Sequence, residues 1–206
     1  MPLQNRVNPR GTIEQSSARG TYMGNRGVLH NGKRELTRQF KTKAWIICLL
    51  EFKGRKRELM TPGRYTELFF LDEVTAFAAG HRPCAECRRK RYNEFRDAWQ
   101  AANAWNGAGN VRAAELDKIL HDERIGDNRK ITWKAPLNEL PHGAMVLIDN
   151  AAYAVSDNGL LAWNASGYRK TNHDRLPDTV EVLTPSSVVK TFSRGFRPVF
   201  HHTAEV

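Results

Sequence analysis

The pattern of apolar and polar positions changes three times along this chain of 206 residues. Residues 1–43 have no periodicity. Gly, Asn and Arg break every short apolar run, which predicts a basic, loop-rich arm. Ala44 to Phe52 (AWIICLLEF) is a continuous run of β-branched and aromatic residues, the pattern of a buried strand. Arg57 to Met60 is read as a short hairpin partner. Thr61-Pro62-Gly63-Arg64 is read as a turn, with Pro at its second position and Gly at its third. Tyr65 to Leu71 is read as a third strand.

The period then lengthens to that of a helix. Glu73 to Ala79 is helical, with Asp72 as a side-chain cap and Gly80 as the stop. Pro83 suits the first turn of a second helix, Arg82 to Ala104, on which Tyr92, Phe95, Trp99 and Ala102 share one face. This reading sets Cys84 and Cys87 on a helix's first turn. Residues 103–110 are a break. Ala113 to Arg124 is a third helix with Leu116, Ile119 and Leu120 turned inward. From Gly143 the period shortens to two. Asp149-Asn150 and Asp157-Asn158-Gly159 mark hairpin turns, and Thr179 to Leu183 is a further strand. Thr184 is placed to cap a short last helix. The fold class is α+β: a hairpin region with a CxxC-bearing helix, a helical middle, and a C-terminal antiparallel region. The expected divisions are an arm (1–43), an αβ module with basic helices (44–125) and a β-rich region (126–206).

Composition adds a partner class. An apolar content of 40% and a charged content of 26% suit a globular chain. No apolar run approaches the roughly 20 residues of a bilayer-crossing helix. The opening MPLQNRVNPRG has no apolar core of a signal peptide, and the cysteines number three. A reduced, cytoplasmic setting is the expectation. The net charge of +10 points to a polyanion, with DNA expected before RNA. Nine Lys/Arg against two Glu fall within residues 1–43. The side chains expected to grip a phosphate backbone are Arg26, Lys53, Arg55, Arg57, Arg82, Arg88 and Arg89.

The stretch AFAAGHRPCAECRR resembles the second half of the Ada-type metal-binding domain, whose pattern runs approximately A-L-A-A-G-[FYH]-R-P-C-x-x-C. The likeness covers residues 69–92, with Phe69-Phe70-Leu71 similar to the strand before that helix. In that family the domain holds one zinc on four cysteines, and the founding repair protein accepts a methyl group from a DNA phosphotriester. Where the family keeps its first ligand pair, this chain has Cys48 alone. The resemblance implies a zinc-binding module acting on DNA in repair, modification or defence.

The residues themselves leave several chemistries open. Cys84 and Cys87 have the spacing of half a zinc site, and Cys48 is a third ligand. His30, His81, His121 and His142 are candidates for a fourth. The same pair also reads as a redox couple or as two metal-free thiols. A second reading is a nucleic-acid-processing hydrolase, a nuclease or a base-excising glycosylase, with Glu67 and His81 near the chemistry. A third is a metal-free protein-interaction module.

Overall fold

The computed structural model describes residues 1–55, 58–171 and 175–205. Its class is α+β. Among the described residues, four α-helices accompany two six-stranded sheets and a two-stranded ribbon.

The first sheet contains β1 (Gln4–Val7), β2 (Ile13–Gln15), β3 (Tyr22–Asn25), β4 (Ile46–Cys48), β5 (Leu68–Phe70) and β6 (Arg82–Pro83) in the order β2-β1-β5-β3-β4-β6. Residues 1–43 are therefore not an arm, because they supply three of these strands. The Gly/Arg-rich stretch at 19–27 contains β3. Gly24 allows that strand to sit close to its neighbours, since a Cβ there would lie 2.2 Å from the Ile46 carbonyl oxygen. The expected strand at 44–52 shortens to Ile46–Cys48. Arg57 lies outside the described residues, and Glu58–Met60 forms a turn rather than a hairpin strand. The turn at 61–64 is present: the Arg64 amide donates to the Thr61 carbonyl at 3.1 Å, and Gly63 has φ +75°.

Helix α1 (Glu73–Ala78) begins as expected, with the Thr75 amide donating to Asp72 Oδ1 at 2.8 Å. It ends on Gly80 (φ +85°), whose amide donates to Phe77 while the His81 amide donates to Ala76. These two bonds form a Schellman cap. Every residue of α1 is buried, because it is sandwiched. Ala76 and Phe77 face the larger core, and Val74 and Ala78 face the second sheet. Small residues let both sides approach.

Helices α2 (Arg89–Ala102), α3 (Ala113–Arg124) and α4 (Ser186–Ser193) cover the first sheet. Tyr92, Phe95 and Trp99 of α2 are buried, as their spacing predicts. Phe77 packs tilted against Phe95 at 5.1 Å and meets Phe192 and Phe196 edge-on at 5.4 and 5.6 Å. One core thus joins residues from Val7 to Phe196, across the expected division at 125/126. The ribbon β7 (Ile125–Gly126) and β8 (Arg129–Lys130) follows α3.

The second sheet is wholly antiparallel, in the order β13-β12-β11-β10-β14-β9. Its strands are β9 (Trp133–Pro136), β10 (Met145–Ile148), β11 (Ala151–Ser156), β12 (Gly159–Asn164), β13 (Gly167–Lys170) and β14 (Thr179–Val182). The turn at Asp149-Asn150 has positive φ at both residues, the geometry of a tight hairpin. Thr184 does not cap α4. Its hydroxyl accepts from the Met145 amide at 2.9 Å and ties the sheet to that helix start. Among the described residues, no helix is long and apolar enough to cross a membrane.

Candidate metal centre

The CxxC does not open a helix. Arg82–Pro83 is a strand paired in parallel with β4, and α2 starts only at Arg89. The Arg82 amide donates to the Trp45 carbonyl at 3.0 Å and the Cys84 amide to Ile47 at 2.9 Å. Pro83, which has no N–H, fits between these bonds on an edge strand. This pairing brings Cys84 alongside the end of β4. Cys87 then turns back towards the same point through residues 85–88.

Alternation along β4 does the rest. Trp45 and Ile47 point into the core, while Ile46 and Cys48 point into a cavity of about 640 Å³. Cys48, Cys84 and Cys87 line that cavity, and their sulfurs lie within 4.8 Å of one another. These three cysteines form a group that could hold a metal ion. Tetrahedral zinc with Zn–S bonds of about 2.3 Å separates its sulfurs by about 3.8 Å. The observed spacing reaches this with shifts of about 1 Å or less, and thiolates are the donors soft divalent metals select.

The donors around the three sulfurs favour a thiolate on Cys84 and not on Cys48 or Cys87. The Glu86 amide donates to Cys84 Sγ at 3.4 Å. Hydrogen bonds from the other two thiols, helped by the Glu86 and Cys87 amides, hold the Cys84 thiol far below its ordinary value. Those same contacts, together with burial, push Cys48 up. One charge is thus concentrated on Cys84.

Glu67 lines the same cavity and is 2% exposed. Its Oε2 accepts from the Met60 amide at 2.8 Å, which holds the 58–60 turn over the site. Asn25 and Tyr65 also line the cavity. Sequence reasoning missed both. The pairing of Asn25 with Ile46 would have revealed the first, but register is not visible in one strand alone.

None of the four expected histidines joins the cysteine group. His81 is 0% exposed and does not line the cavity. It lies against Phe70 at 4.6 Å and Trp45 at 5.1 Å, and its Nε2 accepts from Arg26 Nε at 3.2 Å. Burial, with Arg26 and Arg124 nearby, pulls it well below the ordinary imidazole range, so it stays neutral. His81 is a core residue here and not a partner of Glu67. His30 is held by Thr66 Oγ1 at 2.7 Å and the Thr61 carbonyl at 3.2 Å. His121 lies beside Arg124, and His142 beside Asp157.

The expected phosphate-gripping residues divide in two. Arg26 is 1% exposed and stacks on Trp45. Arg82 makes a two-pronged ion pair with Asp117 at 2.8 and 2.7 Å, both side chains buried, which clamps β6 to α3. Arg88 pairs with Glu73 inside the protein. Arg82 and Arg88 are internal ties, because a buried guanidinium paired with a carboxylate needs that partner more than a phosphate does. Lys53, Arg55 and Arg89 are exposed. Arg55 lines the cavity and reaches Glu86 at 2.7 Å in a solvent-exposed pair. Arg64 is exposed on the same rim. Arg89 borders a shallow groove that also contains Cys87 and Lys90. Neither a family model, nor a curated protein, nor a solved structure matches this chain.

Proposed function

We propose that this chain is a nucleic-acid-binding protein, for DNA before RNA, built around one zinc ion on Cys48, Cys84 and Cys87. The observation that carries the reading is the convergence of three thiols on one side of a cavity of about 640 Å³, which leaves the fourth side of a metal free to face that space. The resemblance of residues 69–92 to the Ada-type domain supports zinc and a role in DNA repair, modification or defence. The net charge of +10 supports a polyanionic partner; Arg55 and Arg64 are exposed on the cavity rim, and Arg89 and Lys90 are exposed on the groove beside it. Zinc with an open position would act there as a Lewis acid. The chain would supply the thiolates, their amide donors and a cavity that shields the position from bulk water.

A second reading is a nucleic-acid-processing hydrolase. It is favoured by Glu67, a buried carboxylate on the wall of the thiol cavity and in position to take a proton. His81 has no part in it.

Metal content tests the first reading. Protein purified without added metal should carry one zinc per chain, and Cys84→Ser should lose it. A metal-free wild type would sink the proposal. DNA binding should weaken with salt, with a log–log slope of about −3.6 if the four exposed cations each meet one phosphate. A flat salt response would remove the nucleic-acid half of the reading. Turnover of DNA that stops in Glu67→Gln, with zinc retained, would favour the second reading.

A further inference from the structure

On the core side of β4 lies an accumulation of positive charge that the thiol site does not use. The Trp45 ring carries two guanidiniums: Arg26 at 3.9 Å and Arg124 at 4.1 Å from the ring centre. Lys130 adds a third cation and donates through Nζ to the Ala78 carbonyl. Among the described residues, none of the three has a carboxylate within ion-pair distance. Arg124 spends its Nη atoms on the Gly80 and Lys43 carbonyls, yet its buried Nε has no partner. Arg26 is 1% exposed, and its Nη2 also has none. Buried cations without a counter-charge are costly.

Beside them is a second cavity, of about 270 Å³, lined among others by Arg10, Gly11, Trp45, Arg124, Arg129 and Lys130, with no Asp or Glu among the described residues of its wall. Gly11 (φ +82°) is the point at which Arg26 approaches it. A Cβ there would stand 3.7 Å from Arg26 Nη2, so that nitrogen lies directly behind Gly11. Arg129 is exposed at the mouth.

We propose that this cavity is a phosphate-binding site, with Arg124, Arg129, Lys130 and Arg10 as its cations and Arg26 behind Gly11. Several cations and unfilled N–H donors on one small space call for an anion with several acceptor oxygens, and guanidinium forks match that geometry. The size limits the ligand. Pockets for whole small molecules run to about 300–1,000 Å³, so this one takes a phosphate head and not the remainder of a nucleotide. Charge behaves accordingly: burial together with Arg26 and Arg124 pushes Lys130 down to about 7, and burial pushes Arg124 down to about 9. A bound dianion would relieve both. The phosphate is either free or carried at the end of a nucleic-acid strand.

Calorimetric titration of the full chain with inorganic phosphate, at constant ionic strength set with potassium chloride, tests this. One saturable site is expected, together with a rise in Tm beyond that given by chloride. Arg129→Ala, an exposed side chain whose loss leaves the fold intact, should weaken phosphate about tenfold. Lys130→Gln, which keeps a donor for Ala78, should do the same, and the zinc content of both variants should be unchanged. Competition by a short oligonucleotide bearing a 5′-phosphate, but not by its unphosphorylated twin, would assign the phosphate to a strand end. Competition by neither would assign it to free phosphate. Absence of saturable phosphate binding, or equal affinity in wild type and both variants, would overturn the proposal. Because zinc is measured separately, failure here leaves the thiol site standing.

Discussion

Trp45→Ala should lower the free energy of unfolding by about 5 kcal/mol. Emptying a buried Trp site costs about 3–5 kcal/mol, and desolvated cation–π contacts add up to about 2 each. The ring is 1% exposed, packs against Arg26 and Arg124, and donates through Nε1 to the Thr42 carbonyl at 3.1 Å. Its removal leaves two buried guanidiniums beside a void. Typical domains have about 5–15 kcal/mol in all, so the variant should be largely unfolded on warming. Trp45→Phe keeps an aromatic face and should lose about half as much. Urea unfolding followed by circular dichroism measures both. A loss below about 2 kcal/mol in the alanine variant would mean that the ring does not support those cations.

The second large effect belongs to Glu73. Its carboxylate is wholly buried at the start of α1. It pairs with Arg88 and Arg91 of the α2 region, and it accepts from the Val199 amide at 2.8 Å. One side chain thus joins α1, α2 and the C-terminal tail. Glu73→Ala strands Arg88, whose side chain is 7% exposed, and removal of one partner from a buried pair costs about 3–5 kcal/mol. Burial alone would raise this carboxyl, but the Arg91 hydrogen bond and the charges of Arg88 and Arg91 outweigh it and hold it below its ordinary value. A carboxyl depressed in the folded state stabilises above its unfolded value, near pH 4.3, and loses that effect as pH falls through the folded one. The stability gap between wild type and Glu73→Gln should therefore be widest near neutrality and shrink below about pH 4.3. Asp72, which burial pushes the other way, is common to both proteins and cancels in the difference. A gap that stays constant down to pH 3 would show that Glu73 acts by shape and not by charge.

Local chemistry was legible in the residues themselves. Asp72 and Gly80 mark both ends of α1 because capping needs only a side-chain oxygen and a residue tolerant of positive φ. The buried face of α2 and the hairpin turn at Asp149-Asn150 follow from period and turn type. The three cysteines were also visible, and their types alone suggest a soft metal.

Tertiary structure decided what those parts face. Parallel pairing of Arg82–Pro83 with β4 overrode the helical reading of Pro83, because two backbone bonds to Trp45 and Ile47 hold it extended. That pairing, between residues some 35 positions apart, is what places Cys84 beside Cys48. The same applies to charge. In the sequence Arg26, Arg82 and Arg88 look like any surface arginine, and only packing against Trp45, Asp117 and Glu73 turns them inward. Segment 1–43 lacks a period because its strands are three or four residues long, too short for alternation to register, and β1 and β3 pair with β5 far along the chain. Residue type and local spacing thus determine caps, turns and candidate ligands. Which cations meet solvent, and which gather on a buried ring, depends on contacts between distant segments that no local pattern encodes.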